Sequence, residues 1–327
     1  MEGAYYNGQY LNRLERLGYS QAEIDNKLES TFEEMFYGPE GVRLCHCAGP
    51  DMMYIEDTGN HDVRTEGMSY AMMFCVQMNR QKEFDCLWRW VVTHMYLTEG
   101  ENAGYFAWSC HTDGSKNSDG PAPDGEEFFA MSLFFAANRW GSGEGVLDYA
   151  SWARRILHAC VHKGEEAGSG FPMWNPENHL IKFVPNCEFT DPSYHLPHFY
   201  ELFALWSDEC DRPFWHAAAA ASRQYLRKAC HARTGLSAEY AEYDGRPHRG
   251  DQPDRHDWFF SDAYRTLGNI ALDAQWFGDK DGWAQETAAH IQQFFEEKEH
   301  GQTSGIYLID GTPVEGNALH PVGLLAT

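Results

Sequence analysis

TEGMSYAMMFCVQMNRQKEFDCLWRWVVTHM, residues 65–95, decides the fold. In its second half Phe84, Leu87, Trp88, Val91, Val92 and Met95 recur at i, i+3, i+4, i+7, i+8 and i+11, the stripe of a helix with one buried face. An apolar helix from about Thr65 to Asn79 precedes it, so the two form a helical hairpin with almost no loop. Similar pairs follow: about Glu127 to Trp140 with Tyr149 to His162, His195 to Trp206 with Pro213 to Ala232, and Ser261 to Phe277 with Asp281 to Glu297. Ser20-Gln21-Ala22-Glu23 reads as a capping box opening an earlier helix, and Pro213 suits a first helical turn. Strand-like alternation is confined to short runs such as Leu180–Val184 and Ile306–Ile309. The chain is therefore read as all-α with a few small hairpins. Antiparallel helix pairs close as an α/α toroid or stack as an open solenoid, and the lack of a strict 34- or 40-residue period favours the toroid.

No Ser/Gly/Pro-rich run, like-charge block or low-complexity tract divides the 327 residues, so a single domain spanning 1–327 is expected. The formal charge of −24 repels nucleic acid and anionic membrane, and a neutral or cationic ligand fits better. Aromatics make up 15% of the chain and many lie near Gly, Pro, Asn and Asp, where rings can stack on sugars, although rings equally fill a large core. Nine cysteines (Cys45, Cys47, Cys75, Cys86, Cys110, Cys160, Cys187, Cys210 and Cys230) form an odd set with no Cys-x-x-Cys, which argues for reduced thiols in the cytoplasm. The stretch Met1–Gly8 has neither a basic n-region nor an apolar h-region, and no run of about 18 apolar residues spans a bilayer. A soluble, cytoplasmic protein is expected.

Three acids stand at the starts of helices that alternate in the pairing: Glu66, Asp124 after a Pro/Gly loop, and Asp262 after Trp258-Phe259-Phe260-Ser261. A glutamate at the mouth of an apolar helix loses hydration, which raises its pKa toward that of a general acid. The plain alternative is a carboxylate facing the helix dipole. In a toroid the loops that join inner to outer helices gather at one end, where such acids can converge. Two of them supply what glycosidic hydrolysis needs, an acid for the departing oxygen and a base for water.

The segment around Glu66, that around Asp124, Asp191-Pro192-Ser193-Tyr194 and Ser261-Asp262-Ala263-Tyr264-Arg265 together resemble glycoside hydrolase family 8, from about residue 25 onward. More closely, Asp57 through Met73, Tyr105–Ser109, Gly120 through Met131 and Phe171–Pro176 are similar to the reducing-end-xylose-releasing exo-oligoxylanase branch of that family. The resemblance implies an (α/α)6 barrel and an inverting hydrolase of β-1,4 linkages in xylo-oligosaccharides, without metal or other cofactor. It implies Glu66 as general acid and Asp262 as the base for the attacking water. Inversion leaves room for that water, with the two carboxyl groups about 6.5–9.5 Å apart. Arg265 then keeps the base ionised and oriented, Tyr194 helps hold the water, Trp108 lines the subsite of the distorted sugar, and Asp124 grips that sugar through its hydroxyls. Pro123 and Glu126 depart from the family signature, where Ser or Thr and Asp are expected, in the manner of the exo-acting branch. Leu319-His320-Pro321 resembles the loop that closes the aglycone side, where His320 can read the anomeric hydroxyl or serve a structural hydrogen bond.

The chain stops at Leu324-Leu325-Ala326-Thr327, whereas relatives continue through about one more helical hairpin, so a barrel lacking its last hairpin is expected. The alternatives are an endo-β-1,4-xylanase or endo-glucanase of the same family, an inactive oligosaccharide-binding or partner-binding module, and another toroid enzyme such as a sugar epimerase, which needs histidines in place of the Glu66 and Asp262 pair. His195 and His198, at i and i+3, lack a third metal ligand and read as structural. Cys45-His46-Cys47 is too tight for zinc, and Gly141–Gly145 lacks the lysine of a phosphate loop. No Gly-x-Ser-x-Gly elbow is present. Preferred chain length and oligomeric state have no signature in the sequence.

Overall fold

The residues of the 65–95 stretch do form two helices joined by a tight turn. In chain order the helices are α1 Ala4–Asn7, α2 Arg13–Arg16, α3 Gln21–Tyr37, α4 Thr65–Gln77, α5 Gln81–Trp90, α6 Pro123–Trp140, α7 Tyr149–His162, α8 Pro197–Trp206, α9 Arg212–Ala229, α10 Arg265–Phe277, α11 Trp283–Glu299 and α12 Pro321–Ala326. The structure, a computed structural model, describes residues 2–165, 169–250 and 255–327. Its strands are short: β1 Cys45–Cys47 pairs with β2 Met53–Ile55, β3 Val63–Arg64 with β4 Ser109–Cys110, and β5 Trp258–Phe259, β6 Gly305–Leu308 and β7 Pro313–Asn317 form a three-stranded antiparallel sheet. The chain packs as two units, Tyr10–Gly170 and Met1–Gln9 with Phe171–Thr327.

In the Tyr10–Gly170 unit, α4 packs on α5 and α6 on α7, while α4 and α6 also pack directly on each other. That second contact explains why α4 is apolar on more than one side: Met68, Ala71, Met72, Met73, Cys75 and Val76 are all buried. On α5 burial takes in the stripe of Phe84, Leu87 and Trp88 and, beside it, Cys86 and Trp90. The stripe then meets a π-helix, Val91–Met95, closed by a Tyr96 N–H donating to Val91 O at 3.2 Å. The wider turn keeps Val91 and Met95 buried and carries Val92 partly out of the stripe. Trp88 anchors this core, with ring centroids 5.9, 5.9 and 5.4 Å from Phe106, Phe129 and Trp152. A fully buried side chain of this class contributes roughly 1.5–3 kcal/mol.

The second unit repeats the pattern: α8 packs on α9, α10 on α11, and α8 on α10. Its centre is Trp215, 5.0, 5.9 and 5.1 Å from the rings of Trp174, Tyr200 and Phe203. The Ser20–Glu23 capping box opens α3, and Pro213 lies in the first turn of α9. Two expectations need correction. Leu180–Val184 is not a strand; only Ile181 makes an isolated bridge, to Trp174. Leu180, Ile181 and Lys182 are buried consecutively, with Lys182 Nζ donating to Pro185 O at 3.1 Å, so the run covers a core as a loop. Likewise α6 begins at Pro123 and not near Glu127, because proline presets the first helical φ. Among the described residues no helix is long and apolar enough to cross a membrane, and none of the nine cysteines stands in a disulfide. Burial pushes the thiols of Cys110 and Cys45 up to about 11 and about 12, which makes them poor nucleophiles.

Candidate active site

In the Tyr10–Gly170 unit the first turns of α4 and α6 lie against each other because Gly125 has no side chain. A Cβ there would come within 2.4 Å of Thr65 Cβ. Glu66 follows Thr65, half-buried in the first turn of α4, and the Thr65 hydroxyl donates to its Oε2 at 3.3 Å. Asp124 lies in the first turn of α6 and is buried, with its Oδ1 accepting from the Gly125 N–H at 3.0 Å. Both carboxylates thus sit where the helix dipole favours negative charge.

Trp108 reaches the same place by strand pairing. Arg64 pairs with Ser109 across β3 and β4, and the Thr65 N–H donates to Trp108 O at 2.9 Å. The Arg64 guanidinium lies 5.1 Å from the centre of the half-buried Trp108 ring. Arg64 is in turn fixed by Asp62 at 3.0 Å, and Asp62 accepts from the Ser109 hydroxyl at 3.0 Å. The ring is therefore a rigid platform.

Glu126 completes this set and carried no role in the sequence reading. It is 1% exposed, and its Oε1 accepts from the Phe106 N–H at 3.0 Å. Burial raises its carboxyl well above the usual range, and the charges of Asp124 and Glu66 add to that, against the Phe106 hydrogen bond. A folded-state value above the unfolded one means that the native protein binds the extra proton, so this stability is present at low pH and is lost as pH rises above the ordinary glutamate value of about 4.3. Glu126→Gln keeps an oxygen for Phe106 and cannot ionise. Its melting temperature is expected to gain on that of the parent progressively between pH 5 and pH 9. Parallel melting curves at every pH would show that Glu126 ionises freely in the native state.

The second unit carries Asp262, Arg265, Tyr194 and His320. The β5 strand leads into a 3₁₀ turn, Ser261–Tyr264, and α10 starts at Arg265. Arg265 Nη2 lies 3.1 Å from Asp262 Oδ2, one helical step away as the spacing implied, and its guanidinium stands 5.6 Å from the centre of the Tyr194 ring. The Asp262 side chain is 36% exposed, open enough to meet water. Tyr194 ends a 3₁₀ turn capped by Asp191, whose Oδ1 accepts from the Ser193 N–H at 2.6 Å. Asp191 itself is buried, and desolvation raises its pKa strongly; Arg265 opposes the shift and the Asp262 charge adds to it. Two acids thus share one arginine, and burial inclines Asp191 to keep its proton. His320 caps α12, its ring 5.9 Å from that of Tyr264 in the Asp262 turn. Gly323 allows this approach, since a Cβ there would come within 2.8 Å of the Tyr264 ring.

His195 and His198 are both buried, and burial pushes each down to about 3. The ring nitrogens of His195 are hydrogen-bonded with Thr190 Oγ1 at 3.0 Å and Ser222 Oγ at 2.9 Å, a structural role. The sequence reading also passed over Asp62, Arg64 and the hydrogen-bonded pair Glu239–His256. An acid and an arginine two apart just before Glu66 was a usable signal. Glu239, in Ser237-Ala238-Glu239-Tyr240, offered none.

Comparison with known proteins gives one consistent result. The family model for glycosyl hydrolases family 8 matches residues 19–320. The chain is 54% identical over 327 residues to the reducing end xylose-releasing exo-oligoxylanase of Halalkalibacterium halodurans, covering 100% of this chain and 83% of that protein. It is 55% identical over 330 residues to the reducing-end xylose-releasing exo-oligoxylanase Rex8A of Paenibacillus barcinonensis, covering 100% and 85%. The solved structure of Rex8A complexed with xylose superposes with a TM-score of 0.96 at 54% identity, over 99% of this chain and 85% of that one. The all-helical (α/α)6 architecture implied by the resemblance is that of the matched enzymes.

Proposed function

The chain belongs to glycosyl hydrolases family 8, and from that membership we propose that it releases xylose from the reducing end of short β-1,4-xylo-oligosaccharides with inversion of configuration. The observation that carries this reading is identity of 54–55% along the whole chain to relatives bearing that activity in their names. Glu66 serves as the general acid, giving its proton to the oxygen of the departing xylose. Asp262, with Arg265 Nη2 at 3.1 Å from its Oδ2, takes the proton from the attacking water in the same step. Trp108, kept in place by Arg64, stacks on the sugar whose bond breaks, and Asp124 binds its hydroxyls. Tyr194 helps hold the water, and His320 reads the anomeric hydroxyl of the leaving xylose. No step calls for a metal or a cofactor. The whole chain acts as one catalytic domain, and the odd number of cysteines with no Cys-x-x-Cys suits a cytoplasmic enzyme working on imported oligomers.

The test uses xylotriose and its alditol, in which the anomeric carbon has become an open-chain alcohol. Xylose and xylobiose are expected from the first and no product from the second, with the new reducing end appearing first as the α-anomer. Cleavage of both substrates establishes endo action, and binding of xylotriose with no turnover at any concentration supports a binding module.

A further inference from the structure

The 3₁₀ turn Pro192–Tyr194 bonds the carbonyls that precede it, with Asp191 O accepting from the Tyr194 N–H at 3.0 Å and Pro192 O from the His195 N–H at 3.4 Å. The carbonyls of its last two residues accept from side chains. Asn269 Nδ2 donates to Ser193 O at 2.7 Å in a buried hydrogen bond, and the buried Tyr200 hydroxyl donates to Tyr194 O at 3.2 Å. The turn is therefore pinned from two helices, α10 and α8. Asn269 follows Arg265 by one helical turn on α10, so the two side chains leave the same face. That face meets the turn twice: the Arg265 guanidinium stands 5.6 Å from the centre of the Tyr194 ring, and the Asn269 amide holds the backbone just before it. Arg265 in turn lies 3.1 Å from Asp262. Ring packing alone would hold Tyr194 less firmly. Phe183 stacks on it at 6.0 Å, and stacked rings can slide, whereas a hydrogen bond of 2.7 Å fixes direction as well as distance.

We propose that Asn269 is a positioning residue for hydrolysis: by tying the Ser193 carbonyl to the helix that carries Arg265, it sets the place of the Tyr194 hydroxyl relative to Asp262. This inference rests on the reading of Tyr194 as a holder of the attacking water. Without the amide, a buried carbonyl loses its donor, and the turn regains one only by moving. Small errors of placement are costly in catalysis, with about 1 Å capable of losing on the order of 10²-fold in rate.

The experiment is a double-mutant cycle between Asn269 and Tyr194 on xylotriose, with kcat and KM measured separately and thermal melts establishing that each variant is folded at the assay temperature. Asn269→Leu keeps the branching of the side chain and removes the donor; Asn269→Ala, which removes the donor and adds no bulk, carries the same test should the leucine disturb folding. Either is expected to lower kcat roughly 10- to 10²-fold with little change in KM. In a Tyr194→Phe background the same substitution is expected to cost little, because the hydroxyl it places is already gone. An equal loss of kcat in both backgrounds, a change confined to KM, or a variant that melts earlier yet turns over normally overturns the proposal. The single variant Tyr194→Phe separates the two readings. Normal turnover there overturns the role of Tyr194 in holding the water, whereas an impaired Tyr194→Phe beside a normal Asn269→Leu overturns only the role of Asn269.

Discussion

Glu66→Ala is expected to lower kcat on xylotriose by about 10²–10⁴, the range over which positioned proton donors act. The departing group is a sugar hydroxyl, whose conjugate base is too strong to leave without a proton. The substitution removes that proton and little of the binding surface, since the adjoining contacts belong to Trp108 and Asp124, so KM should change far less than kcat. The alkaline limb of the pH–rate profile reports loss of the acid's proton, and it should disappear with the carboxyl. A substrate whose leaving group needs no proton, such as β-xylobiosyl fluoride, should restore much of the rate. Near-normal turnover of xylotriose by the variant would rule out the acid role.

Asp262→Asn is expected to lose a comparable factor, about 10²–10⁴, for the opposite reason. The amide keeps the shape of the carboxylate and its place beside Arg265, but it cannot take a proton from water. Asp191 shares the arginine yet cannot stand in, because it is 1% exposed and its ionised form is disfavoured by burial. Azide, a nucleophile that needs no deprotonation, should restore turnover and give the α-glycosyl azide. An unimpaired Asp262→Asn enzyme, or a β-azide product, would contradict single-step inversion with this base.

The helical pairs were legible because each buries a stripe of fixed period, as Phe84, Leu87 and Trp88 show on α5. Glu66 and Asp262 stood out as candidates because an acid beside long apolar or aromatic runs has few reasons to be there. The local backbone was less so. Gly120–Gly125 has the composition of a loop, yet Pro123 starts a helix and Gly125 serves the contact with Thr65. The π-turn at Val91–Met95 alters a stripe that looks regular in one dimension. Glu126, Asp191 and Asn269 draw their roles from burial and from partners distant in sequence, as between Glu126 and Phe106, and periodicity carries no such information. The left-handed φ of Ser261 was hidden for the same reason, since serine is not a residue that advertises it.

Of the nine cysteines only Cys47 and Cys210 are exposed, and they fall one in each of the two units. The protein therefore carries natural attachment points for a donor and an acceptor dye without any engineered cysteine. Asp211 accepts from the Cys210 thiol at 3.3 Å and raises its pKa, which slows alkylation there and gives labelling a chemical handle for order. Energy transfer between the dyes, followed as xylo-oligosaccharide is added, would read whether the two units change their separation during turnover.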